Sequence, residues 1–119
     1  MQRITREAIR RMASSETVYY RGMRYYAAHA VSDVTWNENA GQYRSVVQGG
    51  NQYVVTIQVS EEGEWLYTCN CPSHVKQKGA CKHVVATLLF IADYQQRENV
   101  RENLDKKDKT AYQIIEYFQ

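Results

Sequence analysis

Cys69-Asn70-Cys71 and Cys81-Lys82-His83 put three thiols and an imidazole inside one fifteen-residue window, with nine residues between the pairs, and the 119-residue chain has no other cysteine. Zinc takes thiolate and imidazole ligands in tetrahedral geometry, and a Cys3His set leaves no coordination position open for a substrate water. The chemistry on offer is therefore structural metal binding. Other uses of the cysteines fit less well. Buried cysteines can act as small apolar residues, but chance would seldom crowd all three into thirteen residues beside a histidine at ligand spacing. Disulfides need pairs: three is odd, Cys69 and Cys71 are awkwardly close to bridge, and no segment resembles a signal peptide. His74 competes with His83 for the fourth position, since only two residues separate it from Cys71.

The flanking residues suit the task. In Glu64–Asn70 and on to Cys71, side chains alternate so that Trp65, Tyr67, Cys69 and Cys71 share one face of an extended segment. Two thiolates thus leave the strand end on the same side, and Pro72, lacking an N–H, ends the strand. On the other half, residues two apart in a helix diverge by roughly 200°, so Cys81 is expected at a helix cap and His83 in the first turn. Three thiolates, a neutral imidazole and a dication sum to a charge of −1. A helix N-terminus, with about half a positive charge, and Lys76, Lys78 and Lys82 would balance it. Gly79 is expected to supply an unusual backbone angle that turns the loop back to the metal.

The rest of the chain must hold these two halves together. Thr5–Ala13 and Ser15–Ala28 read as helices, with Thr5 and Ser14 or Ser15 as N-caps and Glu7 and Glu16 in the first turns. Gly22 interrupts the second helix, which implies close packing against another element. The period then changes to alternation: Ala30–Trp36, Gln42–Gln48, Gln52–Ser60 and Glu64–Asn70 read as strands, joined by turns short enough to demand antiparallel neighbours. Tyr53, Val55, Ile57 and Val59 form the expected core face of the third strand, and a helix from about Cys81 to Arg97 follows the metal loop. The expected class is α+β: a small antiparallel meander of about four strands, N-terminal helices and a zinc-stapled C-terminal helix. Residues 1–96 read as this domain, and 97–119 as a polar linker with a short amphipathic helix over Ala111–Phe118, of the kind that could lead into a longer protein.

The full C-x-C…C-x-H pattern, followed at once by Val84-Val85-Ala86-Thr87-Leu88-Leu89-Phe90-Ile91-Ala92, resembles the SWIM-type zinc finger. That resemblance implies one structural zinc held by Cys69, Cys71, Cys81 and His83, favouring His83 over His74. Tyr20-Arg21-Gly22-Met23-Arg24-Tyr25-Tyr26, leading into a valine-containing strand, looks like the segment that precedes the finger at the N-terminus of bacterial Swi/Snf-family helicase-like ATPases. Those proteins often place a glycine just before that strand, where this chain has His29-Ala30. The resemblance spans roughly residues 15–95 and implies contact with DNA, or with a protein partner such as the ATPase itself, in cis or in trans.

Charge distribution narrows the partner. The net charge is only +2, but residues 1–29 carry six arginines against two glutamates, a balance of +4, leaving −2 on the other 90 residues. Arg10, Arg11, Arg21 and Arg24, with the loop residues Lys76, Lys78 and Lys82, are the candidates for phosphate contact. Ten tyrosines invite a stacking reading; most suit core packing, and Tyr19, Tyr20 and Tyr43, which have arginines near them, are expected to be the exposed ones. Catalysis has little support: there is no P-loop, no H-x-E beside the ligand histidine, and the thiols are engaged as ligands. The apolar run Val84–Ala92 is too short to span a bilayer, so neither a membrane nor a small-molecule substrate is expected as partner. Free thiols without a secretory segment point to the cytoplasm.

Overall fold

In the computed structural model, which describes residues 3–72 and 78–107 with side chains through residue 98, both N-terminal helices begin at side-chain caps. Thr5 accepts from the Ala8 amide at 3.1 Å to open α1 (Arg6–Met12), and Ser15 accepts from the Val18 amide at 3.1 Å to open α2 (Glu16–Ala27). Each cap satisfies one of the donors that a helix start leaves unpaired. Four strands follow, β1 (Val31–Asn37), β2 (Gln42–Gln48), β3 (Gln52–Val59) and β4 (Trp65–Cys69). They form an antiparallel sheet in sequence order, as the short turns require. The last element, α3 (Lys82–Lys107), lies against both α2 and the sheet. The expected α+β meander with its flanking helices is the observed fold.

The core is built around α3. Val84, Val85, Ala86, Leu88 and Leu89 are fully buried, and they meet Ile9 of α1, Val47 of β2, and Val55 and Ile57 of β3, which are equally inaccessible. Val55 and Ile57 belong to the face expected from the period of two. Two hydroxyls sit inside this apolar layer, Ser45 and Thr87, 2.7 Å apart. Thr87 gives its single hydrogen to the His83 carbonyl at 3.1 Å, so Ser45 is the donor to Thr87. This chain ties β2 to the helical turn that bears His83.

Gly22 explains how closely α2 and α3 approach. A Cβ there would lie 2.3 Å from Val85 Cγ1 and 3.0 Å from the Lys82 carbonyl oxygen. The close packing expected of a helix-interior glycine is thus present, against the first turn of the finger helix. Gly22→Ala gains about 1 kcal/mol of helix propensity but must push the helices apart, at a cost of about 1–3 kcal/mol or more. We expect net destabilisation in urea unfolding of the metal-loaded protein; a variant more stable than the parent would show that the helices can separate freely.

Several expectations are corrected. Tyr19 and Tyr43 are buried, at 7% and 5% exposure, whereas Tyr20 is half exposed. Tyr43 lies between Trp36 (ring centroids 4.5 Å) and Trp65 (6.4 Å). An adjacent arginine in sequence does not make a strand residue solvent-facing, because neighbours point to opposite faces. The finger helix does not stop near Arg97 but runs to Lys107, through a stretch free of glycine and proline and rich in Gln, Glu, Arg and Lys. β1 carries a register shift between Ser32 and Thr35, with Asp33 at φ 52°. His29 takes φ 58°, so the histidine-for-glycine departure before β1 occupies a left-handed position that glycine would hold at lower cost. The expected amphipathic helix at Ala111–Phe118 lies outside the described residues. Among the described residues, no helix is long and apolar enough to cross a membrane.

Candidate metal centre

β4 delivers the first two thiols. Its ladder with β3 ends at the Val55–Cys69 pair, and Asn70 then extends the attachment by accepting from the Val54 amide with Oδ1 at 2.9 Å. Cys71 is thereby held close to the sheet, and both cysteines turn inward, 8% and 2% exposed. The alternation seen in the sequence is what places them on one side.

The second pair is anchored elsewhere. Ala80 donates to the Met12 carbonyl at 2.8 Å and accepts from the Ser14 amide at 3.0 Å, a two-bond clasp onto the α1–α2 junction. Gly79, at φ 94°, makes this approach possible, since a Cβ would stand 2.9 Å from the Met12 oxygen. The unusual angle expected at Gly79 is present. Cys81 follows as the cap of α3, its carbonyl accepting from the Val85 amide at 2.9 Å, and His83 lies in the first turn. The N-terminal helices are thus part of the frame that fixes the finger.

The four ligand atoms of Cys69, Cys71, Cys81 and His83 lie within 4.8 Å of one another, and all four residues are buried. His83 Nδ1 is 3.8 Å from Cys69 Sγ. Two ligands at ordinary Zn–S and Zn–N lengths subtend about 3.6 Å at a tetrahedral angle, so the spacing suits zinc. No disulfide joins the thiols. They polarise one another: hydrogen bonding from Cys69, helped by His83 and by the Val84 amide, holds the Cys81 thiol down to about 3 against the opposing effect of burial. Cys69 is pushed up, first by its hydrogen bond to Cys81 and then by burial. Three clustered thiols and an imidazole at a helix N-terminus are a set that a dication completes by displacing the thiol protons. The cluster is in position to bind one zinc ion.

Around His83 the wall is aromatic. Tyr53 of β3 stacks on its ring at 4.2 Å with 24° between planes, and Tyr25 of α2 meets it edgewise at 5.4 Å and 65°. Neither tyrosine was picked out from the sequence as part of the centre. Tyr53 could be read only as a core-face residue, and the approach of Tyr25 depends on how α2 crosses α3.

The basic candidates are scattered rather than fused into one patch. Arg10 forks onto Glu16, with Nη2 2.7 Å from Oε2. That pairing lowers the Glu16 carboxyl below its usual range and raises the already high arginine. Arg11, Arg21, Arg24 and Lys78 are exposed, and Lys82 places Nζ 5.7 Å from the Tyr25 ring centroid. Arg21 stands one turn before Tyr25 on α2. Lys76 and the rival ligand His74 lie outside the described residues. Arg6, not among the candidates, is held by both carboxylate oxygens of Asp93 at 3.1 Å.

The family model of the SWIM zinc finger matches residues 53–92, from the second residue of β3 through the apolar part of α3. No curated protein and no solved structure matches the chain.

Proposed function

We propose that this SWIM-type, zinc-stapled domain is a binding module without catalytic activity, acting in the cytoplasm, and that it contacts DNA on behalf of a helicase-like ATPase. The observation that carries the reading is the exposed pair Arg21 and Arg24, three residues apart on α2, the helix whose Tyr25 ring lies 5.7 Å from Lys82 Nζ. Zinc there would fix the position of α3 and, through Gly22, that of α2. A closed Cys3His shell supplies shape rather than a reactive water, which suits recognition. The ATPase context rests on the sequence resemblance alone.

The pairing of Arg10 with Glu16 limits how many phosphates the face can reach. Three or four contacts drawn from Arg11, Arg21, Arg24, Lys78 and Lys82 give a slope of log affinity against log salt of about −3, at about −0.9 per contact on duplex DNA or about −0.7 on single strands. Affinity is then expected to be only micromolar at physiological salt. Fluorescence anisotropy with duplex and single-stranded probes across a salt series reads both quantities. Arg21→Ala with Arg24→Ala should make the slope shallower. Absence of binding even at low salt would refute the DNA reading.

A protein partner is the second reading, and a different feature favours it. Val34, Trp36, Tyr43, Phe90 and Tyr94 line an apolar groove of about 270 Å³ between β1 and α3, and Tyr94 is half exposed. Grooves of this kind accept apolar side chains of a partner. If the domain is an adaptor, Trp36→Ala abolishes partner capture by the ATPase or another protein, and the arginine changes do not.

A further inference from the structure

A metal-ligating histidine is usually oriented by a hydrogen bond from its other ring nitrogen to a carboxylate, a backbone carbonyl or water. His83 departs from that pattern. Nδ1 is the nitrogen turned towards the thiols, 3.8 Å from Cys69 Sγ. Nε2 is buried and has no hydrogen-bond partner among the described residues. Two aromatic rings pack against the imidazole instead.

We propose that Tyr53 and Tyr25 are positioning residues for the metal centre, which hold the His83 imidazole by a stacked and an edgewise ring contact and thereby aim Nδ1 at the metal in place of a hydrogen bond from Nε2. Tyr53 covers one face of the imidazole in a near-parallel stack at 4.2 Å, and Tyr25 closes against it at 5.4 Å. Rotation of the imidazole about its side-chain bonds would drive it into one ring or the other. The clamp is itself closed by Gly49, in the turn between β2 and β3. A Cβ there would stand 3.2 Å from Tyr53 Cε2 and 3.3 Å from Tyr25 Oη, so the two tyrosines converge on bare backbone. Lys82 Nζ at 5.7 Å adds a cation to the Tyr25 ring. Tyr25 lies outside the segment matched to the finger family, so the metal centre takes part of its wall from α2.

The inference rests on the zinc reading, and the test separates the two. Zinc affinity is measured on the full chain by competition with a chromophoric chelator, and ligand geometry is read from the visible spectrum of the cobalt(II)-substituted protein. Tyr53→Leu and Tyr25→Leu are expected to weaken zinc binding by about 10–100-fold, the usual effect of losing a partner behind a ligand, and to shift the cobalt bands. Tyr53→Phe keeps the ring and should match the parent in both. Ile91→Ala serves as the control. It removes a fully buried side chain about 12 Å further along α3; it should lower the melting temperature and, because zinc binding is coupled to folding, the apparent affinity, but leave the cobalt bands where the parent has them. Should Tyr53→Leu fail to fold, Tyr25→Leu against Ile91→Ala decides the matter. Parent-like cobalt spectra in the leucine variants, or the same band shift in Ile91→Ala, would overturn the clamp. A parent that binds no zinc would instead overturn the metal reading.

Discussion

Removal of zinc by a strong chelator is expected to unfold this protein. Structural zinc contributes about 10–16 kcal/mol of apparent binding energy at neutral pH, comparable with the about 5–15 kcal/mol that stabilises a whole domain. The architecture carries the effect beyond the metal loop. Cys81 and His83 begin the helix that supplies Val84, Val85, Leu88 and Leu89 to the core, so loosening that end exposes the inner face of the sheet. Residues 65–95 should unfold first, so the helical circular-dichroism signal of α3 should collapse while strand signal from β1–β3 persists, and readdition of zinc should restore the helix. Acid should mimic the chelator, because protons compete for the thiolates: affinity falls as pH falls. Full zinc removal with an unchanged spectrum and melting temperature would contradict this account.

The two histidines should behave oppositely. His83→Ala leaves three thiolates, opens a coordination position beside the core and takes away the ring that Tyr53 and Tyr25 enclose. Metal affinity and thermal stability should both fall sharply, with a stability loss of at least about 3 kcal/mol, in the range of severe core and metal-site lesions. His74→Ala should change neither. Chelator competition and thermal melts on the two single variants measure this. Release of metal by His74→Ala but not by His83→Ala would reassign the ligands to Cys69, Cys71, His74 and Cys81.

Much of this structure could be read from the residues because its signals are local. Thr5 and Ser15 cap the helices they precede, the period of two marks β2 and β3 to within a residue, and the alternation Trp65, Tyr67, Cys69, Cys71 places two thiols on one face. The ligand set is legible for the same reason: its spacing is fixed by a strand end and a helix start. What escaped the sequence depends on contacts between distant segments. Tyr43 is buried because β2 lies between β1 and β3 under α3, with Trp36 and Trp65 against its ring, and the pairing of Arg10 with Glu16 arises from the turn between α1 and α2. The Ala80 clasp joins residues almost seventy positions apart, and the tyrosine walls of His83 come from α2 and β3. The end of α3 was misplaced on composition, since a mixed-charge stretch reads equally as linker or as helix until a neighbouring helix is there to extend.

Elemental analysis of the purified full-length chain tests the central claim most directly. One zinc per chain, retained through gel filtration and lost on Cys81→Ser, is the expected result. Well under half a zinc per chain, from protein purified without chelators, would contradict the assignment of Cys69, Cys71, Cys81 and His83 as a structural metal centre.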